Sequence, residues 1–395
     1  LINPYDVNNL GQVVGYYNTE MFGDSTVRSF IYSNGTLTDL GTISSDPRAQ
    51  SWANGINDFG QVVGSANTVY AGLDFHAYLY SDNVMENIDP DEQSEALAIN
   101  NYGMVIGNER DGGIFLYSEG VIKRLNIFGS ALDINDHGEF VGRGSWGDGL
   151  EKAFLYREGD LIALGDLSDS GNTKPLAINE QSQIVGHSDI GYVGRPWGYR
   201  HIDHAFLYDH GVMTDLNTLI PANSGWELMV ATDINNRGQI VGYGVRDEQF
   251  QKVCYEEDGY GYLYCYHFPV YSAFLLTPLL ETTIDIKPGW DSNSINLRNR
   301  GKIPVAILST KDFDAPSQVD QKSITFGSIG NEESLSFCNQ RPQDIDGDGF
   351  NDVLCYFNIR STGFRCGDTE GILRGNTVDG MPIEGRDSVK IVRCQ

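Results

Sequence analysis

The chain has 395 residues, with 54 acidic side chains against 27 basic ones and a formal net charge of −27. That length holds one large or two medium domains, and 40% hydrophobic with only 21% charged residues builds a core, unlike a disordered acidic tail. So negative a chain, with no clustered Lys/Arg footprint, argues against nucleic acid as a partner, and no run of eighteen apolar residues is present to span a membrane as a helix.

The chain opens at Leu1, not Met, as expected where a targeting segment has been removed or further residues precede it. From Val7 onward one pattern recurs six times: an apolar residue, Asn, two variable residues, Gly, a polar residue, an apolar pair and Gly. It reads V-N-N-L-G-Q-V-V-G from Val7, I-N-D-F-G-Q-V-V-G from Ile56 and I-N-N-Y-G-M-V-I-G from Ile99. It continues as I-N-D-H-G-E-F-V-G from Ile134, I-N-E-Q-S-Q-I-V-G from Ile178 and I-N-N-R-G-Q-I-V-G from Ile234, where only Ser182 replaces the inner glycine. Each copy is followed by a second pattern, such as H-A-Y-L-Y at His76, K-A-F-L-Y at Lys152 and H-A-F-L-Y at His204.

Asn-x-x-Gly between β-prone runs predicts a tight turn, because Asn bonds its own backbone and Gly accepts a positive φ. The Phe-Leu-Tyr run and the short segment after it predict a second hairpin, giving four strands per unit. The motif asparagines fall at 8, 57, 100, 135, 179 and 235, spacings near the roughly 40–50 residues of a four-stranded propeller blade. The expected fold class is therefore all-β: a six-bladed β-propeller over residues 1–280, then a small β-sandwich over 281–395. The sixth repeat has no clear fourth strand. Leu279 to Glu281, residues before Leu1, or a strand from a neighbouring molecule would complete it.

The paired patterns resemble the bacterial extracellular repeats called HAF, after the tripeptide seen at His204-Ala205-Phe206. The resemblance covers about residues 1–278 and implies a secreted or surface protein with a propeller-like β fold. It implies no reaction.

The turn inside each motif keeps its length, whereas the connection from its last Gly to the third strand grows from 8 residues (Gly107 to Phe115) to 32 (Gly242 to Phe274). Variation thus collects on one rim, the natural place for a binding face. The two longest connections carry Tyr192, Trp197, Tyr199, His201, Tyr255, Tyr260 and Tyr262, candidate binding residues that equally suit anchoring long loops to their own fold. His201 and His204 with Asp203 suit a metal or acid–base site, although His204 shares its repeat position with His76. Trp52, Trp146, Trp197 and Trp226 suit either sugar stacking or filling gaps between blades.

After Pro278, I-D-I-K-P-G from Ile284 and G-K-I-P-V-A-I-L from Gly301 resemble a module found at the end of secreted bacterial proteins. Its sharpest feature is Asp344-Ile345-Asp346-Gly347-Asp348-Gly349-Phe350-Asn351-Asp352. Carboxylates of Asp344, Asp346, Asp348 and Asp352, with the Phe350 carbonyl, supply hard oxygen ligands for one Ca²⁺. Cys355 stands where an EF-hand has its bidentate Glu, so the loop resembles the helix-free DxDxDG loops of dockerins, with Asp368 or Glu370 as a further ligand. The six cysteines, Cys254, Cys265, Cys338, Cys355, Cys366 and Cys394, are even in number and lack CxxC spacing, which points to disulfides and export. Among fifteen connectivities, Cys254–Cys265, Cys338–Cys355 and Cys366–Cys394 place one bridge in the long loop and one around the acidic turn.

No GxSxG, HExxH or Walker loop occurs. The leading expectation is a secreted, non-catalytic structural or adhesion protein of the cell surface or matrix, with an extracellular protein, a glycan or its own copies as partner. A propeller enzyme acting on polysaccharide, and a glycan- or protein-binding module, are the alternatives.

Overall fold

Each Asn-x-x-Gly segment is a reverse turn between antiparallel strands, and the asparagine makes it so. In repeat three the Asn100 Oδ1 accepts from the Tyr102 and Met104 N–H groups at 3.0 and 2.9 Å, and Gly103 takes φ +74°, which a β-branched residue resists. Ser182 holds the same left-handed conformation at φ +60°, and its hydroxyl donates to Glu139. The computed structural model describes residues 2–21, 24–68, 74–145, 151–168, 172–195, 198–256, 263–290 and 292–393, with backbone alone at 20–21, 24–25, 151, 193–201 where described, 247–256 and 263–269. Strand makes up 60% and helix 3%, and the chain divides into two units, Leu1–Leu276 and Thr277–Gln395.

In the first unit, repeat one is Ile2–Val7, Val13–Met21, Asp24–Ser33 and Thr36–Gly41; repeat two is Ser51–Ile56, Val62–Asn67, Phe75–Ser81 and Val84–Asn87. Repeat three is Ser94–Ile99, Val105–Glu109 and Gly113–Ser118. Its fourth strand continues as the first strand of repeat four in one 14-residue stretch, Val121–Ile134, so the two share a seven-stranded sheet. Repeat four goes on through Phe140–Ser145, Glu151–Arg157 and Asp160–Ala163; repeat five is Thr173–Ile178, Ile184–Arg195, Gly198–Asp209 and Val212–Asp215. Repeat six has three strands, Trp226–Ile234, Ile240–Glu256 and Leu263–Leu276.

The motif's apolar pair divides its labour across neighbours. Val62 packs with repeat one, Val63 with repeat three; Val105 packs with repeat two, Ile106 with repeat four. Phe140 and Val141, then Ile184 and Val185, repeat the arrangement. Five apolar clusters therefore join six repeats. The last motif glycine lets this happen. Every first strand carries a bulge, as between Ala53 and Gly55, which brings a carbonyl over that glycine, and a Cβ on Gly64 would sit 1.9 Å from the Trp52 oxygen.

Two hydrogen-bond ladders run alongside. The Nδ2 of Asn8 donates to the Asn57 carbonyl, Asn57 to Asn100, Asn100 to Asn135, Asn135 to Asn179 and Asn179 to Asn235, all at 2.9–3.1 Å. One residue further on, the N–H of Asn9, Asp58, Asn101, Asp136 and Glu180 each donates to the side chain of its counterpart in the next repeat. The sequence reading treats that second position as variable; it is restricted to amide or carboxylate acceptors because it links repeats.

The two long connections in repeats five and six differ from loops. Ile184–Arg195 pairs with Gly198–Asp209 out to Arg195 opposite Gly198, and Ile240–Glu256 pairs with Leu263–Leu276 out to Glu256 opposite Leu263. Backbone pairing continues past the repeat core, so both are hairpin arms, interrupted by irregular register between Asp189 and Gly191 and between Val245 and Phe250.

In the second unit the expectation of two packed sheets gives way to a sheet of seven strands, with Ser294–Asn296 and Lys390–Val392 as a separate parallel pair. The order of the seven is Val319–Gly327, Glu370–Thr377, Pro382–Ser388, Leu280–Ile286, Lys302–Ile307, Val353–Asn358 and Leu335–Cys338. Leu280–Ile286 joins the halves, pairing parallel with Pro382–Ser388 through residues 280–283 and antiparallel with Lys302–Ile307 through 284–286. The edge strands approach where the Ser334 hydroxyl donates to the Phe326 carbonyl at 2.5 Å, which nearly closes a barrel around Ile286, Val305, Phe326, Phe357 and Leu373. Leu280 and Glu281 pair with Ile383 and Glu384 here, so Leu279–Glu281 does not complete repeat six.

Candidate functional site

The acidic loop lies between two short antiparallel strands, Leu335–Cys338 and Val353–Asn358, whose Cys338 and Cys355 form a disulfide. Inside it the chain turns on its own carboxylates. Asp344 accepts from the Gly347 and Gly349 N–H groups at 2.7 and 3.1 Å, Asp346 from the Asp348 N–H at 3.2 Å, and Asp348 from the Phe350 N–H at 2.8 Å. Gly347 and Gly349 take φ +83° and +97°, conformations that only glycine adopts without strain. The result brings oxygens of Asp344, Asp346 and Asp348 within 4.8 Å of one another, all exposed, an arrangement able to hold a metal ion. An all-oxygen donor set suits a hard cation.

Asp352 is not drawn into this trio. It is buried, its Oδ1 accepting from the Ser309 N–H and its Oδ2 from the Ile345 N–H, both at 2.8 Å. It ties the foot of the loop to the sheet. Phe350 is exposed. Asp368 accepts from the Arg365 N–H and Glu370 from Arg386, each at 2.7 Å and each outside the trio. A group the sequence did not flag is Asp285, whose carboxyl is raised by burial first and then by the negative charges of Asp387 and Asp346.

The other expected sites resolve unevenly. Cys366 is disulfide-bonded, while Cys394 lies outside the described residues, and the backbone register sets Cys254 directly opposite Cys265. Tyr192 is exposed on the arm of repeat five. Trp197, Tyr260 and Tyr262, and the side chains of Tyr199, His201 and Tyr255, lie outside the described residues. The two described tripeptide histidines serve their own repeats. The His204 Nδ1 meets Asp215 at 2.6 Å and the His76 Nδ1 meets the Asp89 carbonyl at 2.9 Å. The Asp215 hydrogen bond, opposed by burial, raises the pKa of His204.

Three further carboxylates precede the motif in repeats one, four and six. Asp6 accepts from the Ile56 N–H and Asp133 from the Ile178 N–H, each at 2.8 Å, bridging to the following repeat. Burial raises Asp6, Asp133 and Asp233, and Asp133 reaches about 7. The charge of Asp233 adds to the rise at Asp6, and those of Asp233 and Asp6 add at Asp133. The sequence signal was an Asp one residue before the motif, legible only once its neighbours are known.

No protein-family model and no curated protein matches this chain in sequence.

Proposed function

We propose that this is a secreted, non-catalytic structural or adhesion protein, a subunit of an extracellular assembly. Its repeats form a six-bladed propeller left open between the first and sixth blades, and a Ca²⁺ ion braces the acidic loop of the second unit. The HAF-like motifs and the Cys338–Cys355 disulfide support an oxidising, extracellular setting. The charges of Asp6 and Asp233 both help to raise Asp133, which supports an axis shared by repeats one, four and six that a straight stack would hold apart.

The observation that carries the assembly reading is the state of the end faces. Val7 is 59% exposed, while its counterparts Ile56, Ile99, Ile134, Ile178 and Ile234 are buried against a preceding repeat. Val241 is 41% exposed, while Val14, Val63, Ile106, Val141 and Val185 are at 0%. Tyr243, Tyr271 and Leu275 widen the second face, and among the described residues nothing pairs with the outer edge of Leu263–Leu276. Apolar faces that complement one another five times inside the chain are suited to meet again between copies, a heterologous contact that propagates. Light scattering across a concentration series, with electron micrographs of the same samples, tests this. The reading expects association that Leu275→Glu weakens; a monomer at every concentration contradicts it.

A further inference from the structure

Repeats two and three open a groove of about 490 Å³ on the rim that carries the second-to-third-strand connections, a volume within the range of small-ligand sites. One wall is aromatic. Trp52 and Phe75 stand with centroids 5.1 Å apart and planes at 75°, and the row continues through Tyr16, 6.4 Å from Trp52, to Tyr5, 5.7 Å beyond. The lining also includes Glu95, Asn108, Glu109 and Arg110.

These polar groups are held in place from behind. Asn54 donates to the Glu95 Oε1 at 2.9 Å, and Arg110 donates to the Gln93 Oε1 at 2.5 Å. Asn108 donates to Ser130 at 3.0 Å and accepts from the Ala131 N–H at 3.0 Å. Arg124 pairs with Glu109 while also holding Asp89 at 2.8 Å. Glu95 and Arg110 nonetheless remain exposed, so an acceptor and a donor with spare capacity share the groove with an indole fixed by its neighbours.

We propose that this groove binds a neutral oligosaccharide of two or three sugar units. The C–H faces of a pyranose ring suit an aromatic wall, and vicinal hydroxyls, each donor and acceptor at once, suit carboxylate, amide and guanidinium groups in fixed positions. With Glu109 paired to Arg124, Glu95 and the adjoining Glu92 and Asp111 still outnumber Arg110, and the chain carries −27 overall, so uronates and other anionic sugars are repelled. The site deepens the adhesion reading by naming a ligand class, and it stands apart from self-association because the groove uses neither end face of the repeat array.

The test is calorimetry and saturation-transfer NMR on the whole chain with cellobiose, maltotriose and diacetylchitobiose, with digalacturonate and trilysine as comparison ligands. At least one neutral saccharide is expected to bind, with Trp52→Ala and Arg110→Ala each weakening it by about tenfold or more. Arg110 is exposed, so its variant keeps the test meaningful if the Trp52 variant folds poorly. No binding of any neutral saccharide, binding that both variants leave unchanged, or preference for digalacturonate or trilysine would overturn the proposal. Oligomeric state plays no part in the readout, so this result and that of the assembly experiment stand independently.

Discussion

Asn100 shows how much one motif side chain is asked to do: its oxygen closes the turn and its nitrogen reaches the carbonyl of Asn135. Asn235 makes the same turn bonds, accepting from the Arg237 and Gln239 N–H groups, but among the described residues no following repeat covers it and it is exposed. Comparing the two isolates the link between repeats. Asn100→Ala leaves buried groups unpaired and should cost about 2–4 kcal/mol, against about 1 kcal/mol or less for Asn235→Ala; urea denaturation of both variants measures the difference. Equal losses would mean that the ladder adds nothing beyond the turn. The turn itself was legible from Asn and Gly alone. The second ladder was not, because an acceptor at Asp58, Asn101 or Glu180 acquires meaning only from the N–H that approaches it across a repeat boundary.

The DxDxDG loop has one covalent support, and the proposed Ca²⁺ would add an ionic one. Cys338 and Cys355 enclose a segment with a separation of 17 residues, and opening that bridge should cost about 3 kcal/mol by loop entropy. A Cys338→Ser/Cys355→Ser variant is therefore expected to melt earlier in the second unit and to bind Ca²⁺ more weakly, which calorimetric scans with and without the metal would measure. Chelation of the unaltered protein should lower the same transition, and Asp346→Asn should remove most of the response. A transition indifferent to chelator would count against a bound cation. The loop could be read from its spacing because its contacts are local. The sheet around it could not, since the switch of Leu280–Ile286 from a parallel to an antiparallel partner joins residues about a hundred positions apart. Likewise the arms of repeats five and six looked like loops because register over irregular, aromatic-rich sequence is set by pairing rather than by strict alternation.

The arrangement of the repeats has its own signature in Asp6, Asp133 and Asp233. Asp133 has its pKa raised from 3.8 to about 7 by burial and by the other two carboxylates. A raised carboxyl binds a proton in the folded chain that the unfolded chain has released, so its stabilisation is complete below about pH 4 and is lost as the pH rises through about 7. The first unit should accordingly melt at higher temperature at pH 5 than at pH 8, and Asp133→Asn should shrink that difference. Thermal scans at the two pH values check both. The number of repeats, their four-strand content and the missing fourth strand of the sixth were readable because the pattern is periodic, whereas the shared strand Val121–Ile134 depends on how neighbours meet. The most direct test of a common axis is a set of electron–electron distances between spin labels introduced as unnatural amino acids at equivalent exposed turn positions. The pairs are Leu10 with Phe59, Leu10 with His137, and Leu10 with Arg237. Blades set about one axis, even with the first and sixth left apart, predict a separation to Arg237 shorter than that to His137; a separation that keeps growing along the series would contradict it.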